Sequence, residues 1–262
     1  MKSLFLTILA ALALACGGPS GPDVAPSNAA KPTANRGEEI VAEHLKRDGA
    51  PYRKDRVRFT IKEDGEKTEI FEIDVWRRQT ATTTETLSII AKPAEDAGSG
   101  SLTIEEKGKP AVNITYSVSR DEFRETDTGK MFFGGLTAQE LLGEWNKYSF
   151  KLLGEATPNG FEIEGKLKHD QKSIIASTKA TFDVQNYLPV EMHLFDRSGK
   201  ELRTYQKAEI KTANGQPYVA MTEVENHVYN SQITIEILSR EFPEMLDDVM
   251  FTREKLKQSA KK

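Results

Sequence analysis

Cysteine is almost absent: the 262 residues hold one, Cys16. A single thiol closes no intramolecular disulfide, so an exported domain of this sequence must be held by its core. Histidine is scarce too, and His44, His169, His193 and His227 fall in separate predicted elements. There is no His-x-x-x-His pair, Gly-x-Ser-x-Gly elbow or glycine-rich phosphate loop, so the sequence calls for no metal and no cofactor. Neither sign of charge dominates. Lys+Arg 36 against Asp+Glu 40 gives a formal net charge of -4, which provides no basic surface for nucleic acid. Carboxylate pairs such as Glu105-Glu106, Asp121-Glu122 and Asp247-Asp248 are frequent. Neighbouring residues on a strand point to opposite faces, so these pairs do not make a general acid and base sharing one substrate. The expected protein is not an enzyme.

Long apolar runs are also missing, except at the start. MKSLFLTILAALALACGGPSG has a basic Lys2, an apolar stretch from Leu4 to Leu14, and small residues before a cut at Ala15, the three parts of a signal peptide over residues 1–15. The stretch is too short to span a bilayer, which takes about 20 apolar residues. LALAC is similar to the lipobox of bacterial lipoproteins, in which the cysteine is acylated, with palmitate-class chains, and becomes the mature N-terminus. Plain secretion after Ala13-Leu14-Ala15, and an uncleaved or cytoplasmic chain, are the other readings. Residues 16–35 read as a lipidated Cys16 followed by a Pro-, Gly-, Ala- and Ser-rich tether, with a relaxed span of about 25 Å.

Residues 36–262 are long enough for one domain with its own core. GEEIVAEHLKRDG carries Ile40, Val41, His44 and Leu45 at helical spacing. From Asp55 the period changes to two, in RVRFTI, EIFEIDVWRR, ETLSIIA, SLTIEE and PAVNITYSV, separated by short turns that favour antiparallel neighbours. GLTAQELLGEW breaks the alternation: Thr137 and Glu140 have capping-box spacing, and Leu141, Leu142 and Trp145 can share one side of a helix. Seven more strand patterns follow, making about twelve. So many antiparallel strands predict a strongly curved sheet forming an unclosed barrel, mainly β with a few helices covering the concave side. Phe59, Phe71, Ile73, Val75, Leu87, Ile89, Ile114 and Tyr116 recur at period two and are the candidates for the wall of an apolar cavity, or for an ordinary core. Leu45, Leu141, Leu142 and Trp145 are the candidates for its lid. Asn113, in NIT, is formally a glycosylation acceptor and more simply the middle of a strand.

The segment YLPVEMHLFDRSGKELRTYQKAEI, then PYVAMTEVENHVYNSQITIEIL and FTREKL, resembles the LolA-like group of bacterial outer-membrane lipoprotein-sorting proteins. The resemblance rests on Leu188-Pro189, the turn Asp196-Arg197-Ser198-Gly199-Lys200, Met221, and Phe251-Thr252 with Leu256. It also takes in MFFGGLTAQELLGEWNKYSFKLLGE. It implies an unclosed antiparallel barrel with helices plugging its mouth, and a non-catalytic function: binding and transfer of the acyl chains of lipoproteins or other lipids, in exchange with an inner-membrane transport complex. RVRF and WRRQ offer several arginines, and no motif assigns a mouth arginine among them. The expected protein is anchored by lipid to the outer membrane, with its body in the periplasm. The alternative is a non-catalytic envelope lipoprotein serving as a protein-binding or stress-sensing platform.

Overall fold

The computed structural model describes residues 33–47, 50–63, 68–109, 111–126, 135–136, 145–154 and 156–259. Cys16, the signal peptide, most of the tether, and Thr137, Glu140, Leu141 and Leu142 lie outside them. Helix α1 spans Thr33–Arg47, so its backbone begins within the expected tether. Its buried stripe is Gly37, Ile40, Val41 and His44, one face of a 3.6-residue period. Basic Lys46 and Arg47 in its last turn suit the negative end of the helix dipole.

Thirteen strands follow: β1 Tyr52–Glu63, β2 Glu69–Gln79, β3 Thr83–Lys92, β4 Gly100–Glu106, β5 Val112–Ser117, β6 Glu122–Thr126, β7 Tyr148–Leu152, β8 Phe161–Leu167, β9 Ser177–Phe182, β10 Pro189–Phe195, β11 Glu201–Ala213, β12 Gln216–Asn226 and β13 Ser231–Glu241. The strand missing from the sequence reading is β6, whose EFRET has too few apolar residues to show alternation. All thirteen form one sheet, in the order β6-β5-β4-β3-β2-β1-β13-β12-β11-β10-β9-β8-β7. The chain therefore starts at the centre and meanders out to β6. It then crosses to the far edge at β7 and meanders back until β13 pairs with β1.

The expected strongly curved, barrel-like sheet with one concave side is not found. The sheet is open, its ends β6 and β7 are twelve positions apart in the strand order, and its apolar side chains do not share one face. Directly opposed residues of an antiparallel pair point the same way. One face can thus be followed from Leu152 to Ile163, Ala180, Met192, Tyr205, Val224, Ile233 and Ile61, each opposite the next. On β1 and β2 this face continues through Phe59, Phe71, Val57 and Ile73. The other face carries a second apolar series, in which Trp76 opposes Leu87, Leu87 opposes Leu102, and Leu102 opposes Ile114. The switch falls at Val75-Trp76, where two adjacent apolar residues put one side chain on each face. A barrel interior requires the buried set to stay on one side, and here it changes sides.

Each face is covered where it is apolar. On the first, α1 packs Ile40 and Val41 with Tyr148, Phe150, Leu152, Phe161, Ile163 and Phe182. On the second, Phe251 and Leu256 close over Leu87, Ile89, Leu102, Ile114 and Tyr116. Leu256 belongs to the C-terminal helix Arg253–Gln258, capped by Thr252, whose side chain accepts from the Lys255 amide. The two edges are managed differently. At β7, the Glu38 carboxylate accepts the Phe150 amide at 2.8 Å, and a Cβ on Gly37 would lie 2.8 Å from the Lys151 and Leu152 backbone. Edge strand β6 is short and charged, through Glu122, Arg124 and Glu125.

Candidate functional site

The proposed wall residues divide between the two faces. Phe59 and Ile73 are buried with Ile61, Val224 and Ile233, and Phe71 and Val75 pack against them. Leu87, Ile89, Ile114 and Tyr116 lie on the opposite face, beneath Phe251 and Leu256. Period two alone cannot see this division, because a period-two pattern does not say which face each strand turns inward.

Of the residues between β6 and β7, Gly135 and Leu136 are described, and they lie at the centre of the first face. Leu136, fully buried, inserts among Phe59, Ile61, Ile73, Val224 and Ile233. Gly135 precedes it at φ +76, and a Cβ there would lie 2.5 Å from the Tyr229 ring. The Gly135 carbonyl accepts a hydrogen bond from Arg203 Nη2 at 2.7 Å. Arg203 is 2% exposed, and its Nη1 donates to the Leu202 carbonyl at 2.8 Å. The sequence reading missed Arg203. The available signal was parity: in β11 it shares a face with Tyr205, which lies against the core. Beyond β2 the same face turns polar. Thr86, Thr103 and Asn113 oppose one another in turn and are buried, and Thr103 Oγ1 donates to Asn113 Oδ1 at 2.9 Å. Asn113 is thus a buried strand residue.

Of the lid candidates, Trp145 packs against the core under α1, with its ring 5.4 Å from His44 and 5.6 Å from Phe182. Leu45 points outward and is 42% exposed, because the buried stripe of α1 passes through His44. Beside α1 a cavity of about 400 Å³ is lined by Arg36, Glu39, Ile40, Ala42, Glu43 and Tyr187.

The charged face opposite Phe59 and Ile73 is laced by ion pairs. Glu72, 5% exposed, accepts from Arg58 at 3.1 Å, Arg56 at 3.2 Å and Lys92 at 3.3 Å. The Arg58 hydrogen bond, aided by the Lys92 and Arg56 charges, holds the Glu72 carboxyl below its ordinary range despite burial. On β10 and β11, His193 lies between Glu201 at 2.5 Å and Glu191 at 3.0 Å. Glu201 also accepts from Thr204 at 2.8 Å, and the Thr204 hydroxyl meets His227 at 2.9 Å. No group of His, Cys, Asp and Glu among the described residues is arranged to hold a metal ion. Nor is any described helix long and apolar enough to cross a membrane.

Solved structures share this open antiparallel fold. A DUF1329 family protein from Desulfovibrio piger superposes with a TM-score of 0.80 at 14% identity, over 86% of this chain and 100% of that one. An outer membrane lipoprotein-sorting protein domain from Vibrio parahaemolyticus gives 0.77 at 19% identity, over 86% and 99%. A LolA superfamily protein from Nitrosomonas europaea gives 0.67 at 13% identity, over 86% and 100%. A family model described as an uncharacterized protein matches residues 82–258. The chain belongs to that family, an uncharacterised subgroup with the fold of the LolA-like and DUF1329 proteins. No curated protein matches the sequence.

Proposed function

We propose that this protein is a lipid-anchored, periplasm-facing protein of the outer membrane that binds and transfers the acyl chains of lipoproteins or other lipids without catalysing a reaction. The observation that carries the reading is the apolar surface of Phe59, Ile61, Ile73, Val224 and Ile233, covered by Leu136, whose neighbour Gly135 is held through its backbone carbonyl by the buried Arg203. Acyl chains are recognised by area, at about 25 cal/mol per Å² removed from water, and such a surface needs little polar readout. Capture would proceed by withdrawal of Leu136, exposing Phe59, Phe71, Ile73 and Val75. Leu87, Ile89, Ile114 and Tyr116, closed beneath the C-terminal segment, serve the fold. Residues 1–15 are removed, Cys16 carries the anchor, and an inner-membrane transport complex supplies the cargo.

Two measurements test the reading. Lipid extraction and native mass spectrometry of the protein isolated from envelopes should return bound acyl species, and a ligand-free protein that takes up no lipoprotein or lipid when offered it would sink the binding role. Mass spectrometry of the mature N-terminus should find a diacylglyceryl-modified Cys16, and an uncleaved chain with a free thiol would remove the anchor.

A further inference from the structure

The cavity beside α1 carries charges of both signs. Arg36 and Glu43 both line it and are seven residues apart on one helix, which is two turns, or about 10.5 Å along the axis. Arg36 Nη1 donates to Glu39 Oε2 at 3.1 Å, and its guanidinium sits 5.9 Å over the Phe161 ring. Glu43 meets Lys46 only at 3.6 Å, through an ammonium on a side chain that is 77% exposed. Ile40, Ala42 and Tyr187 complete the lining.

Tyr187 is held in an unusual way. Its φ is +54, a conformation that bulky residues rarely adopt and that persists only where the surroundings impose it. Its amide donates to the Asp183 carbonyl at 2.9 Å, its ring stacks on Phe161 at 5.8 Å, and the Arg47 guanidinium sits 4.8 Å over the ring. Arg47 Nη1 is fixed in turn on the Gln185 carbonyl at 2.9 Å. The wall of the cavity is thereby set before any ligand arrives, which lowers the ordering cost of binding.

We propose that this cavity binds the zwitterionic headgroup of a membrane phospholipid of the phosphoethanolamine class, with the phosphate on Arg36, the ammonium on Glu43 and the first glycerol carbons on Ile40, Ala42 and Tyr187. A bare anion entering here meets Glu39 and Glu43, and a bare cation meets Arg36. A ligand with both signs a few ångströms apart satisfies both, and like-charge contacts reject the others. The choice of a lipid rests on the membrane-anchor reading above, in which α1, from Thr33, follows the anchored N-terminal segment.

The test titrates the whole mature protein, in maltoside micelles, with dihexanoyl-phosphatidylethanolamine, dihexanoyl-phosphatidylglycerol and free O-phosphoethanolamine, read by calorimetry. Saturable binding of the ethanolamine lipid is expected, weakened about tenfold by Arg36→Gln and by Glu43→Gln, the loss of one charge-assisted contact. Lys46→Gln should keep full affinity. The glycerol lipid and the free headgroup should both bind more weakly. Equal binding of the glycerol lipid would reduce the cavity to an anion site, and equal binding of O-phosphoethanolamine would remove the membrane lipid as its ligand. Absent saturation, or unchanged affinity in correctly folded Arg36→Gln and Glu43→Gln proteins, overturns the assignment. These lipids are added in soluble form, so the result is independent of the state of Cys16. An unacylated N-terminus removes the anchor alone, and absent binding removes the headgroup site alone.

Discussion

Arg203 donates from Nη2 to the carbonyl of Gly135 at 2.7 Å, across 68 positions of sequence. The bond ties Gly135 to β11, and it lies where water does not compete, since Arg203 is 2% exposed. Arg203→Met keeps the apolar stem and removes the donors. It should lower stability in urea unfolding by about 1.5–3 kcal/mol, the range for a hydrogen bond to a charged group. Amide exchange around residues 135–136 should accelerate more than exchange in β11. Exchange unchanged at those residues would show that the packing of Leu136, and not Arg203, holds them in place.

Ile73 and Ile114 were equivalent as strand residues in the sequence and are not equivalent in the structure. Ile73 faces Leu136, and Ile114 faces the C-terminal segment with Phe251 and Leu256. Enlarging either to Phe overpacks a filled space at a cost of about 1–3 kcal/mol. Ile73→Phe should also reduce acyl uptake, because the proposed ligand surface beneath Leu136 includes Ile73. Ile114→Phe should leave uptake unchanged per folded molecule. Uptake assays normalised to the folded fraction decide between them, and equal losses for both would remove Ile73 from the ligand surface.

Glu38 seals an edge of the sheet. Its carboxylate accepts the Phe150 amide at 2.8 Å while Gly37 lets α1 lie against the β7 backbone. Glu38→Ala leaves that amide without its charged partner and should cost about 1–3 kcal/mol. It also opens β7 to pairing with other chains, so light scattering should report concentration-dependent association that the parent protein lacks. Gly37→Ala should be at least as damaging, since its Cβ meets backbone that cannot rotate away.

The elements that could be read from sequence are those whose side chains repeat. Strands β1–β5 and β7–β13 announce themselves by alternation, and α1 by Ile40, Val41 and His44. Strand β6 carries one apolar residue, Phe123, in five, so nothing in it repeats. The overall shape was not legible for a different reason. Alternation assigns residues to a face of their own strand, while the relation between strands depends on register. At Val75-Trp76 the register hands the core from one side to the other. Arg203 was hidden because its importance comes from a carbonyl 68 positions away, a relation that no local spacing encodes.

The Glu191-His193-Glu201 triad makes stability depend on pH in a stated direction. Burial pulls the His193 imidazole down, but the hydrogen bonds it donates to Glu201 and Glu191 outweigh it and raise its pKa above the ordinary 6.5. Burial pushes Glu201 up, and bonds from His193 and Thr204 outweigh it and hold the carboxyl below the ordinary 4.5. Lys179 opposes His193 from β9 and His227 approaches through Thr204, so the surroundings are not purely acidic. A raised histidine contributes stability that is fully present below pH 6.5 and is lost as pH climbs through its folded value. A lowered carboxylate contributes stability that is fully present above pH 4.5 and is lost as pH falls through its folded value. Both contributions are therefore complete only between those two values. The difference in melting temperature between the parent protein and His193→Gln should be largest in that interval, shrinking toward alkaline and strongly acidic pH. Moderate salt should reduce it only in part, because His193 is about two-thirds shielded from solvent. A difference that stays constant from pH 5 to pH 9 would mean that His193 packs as a neutral ring and that the two short contacts carry no charge.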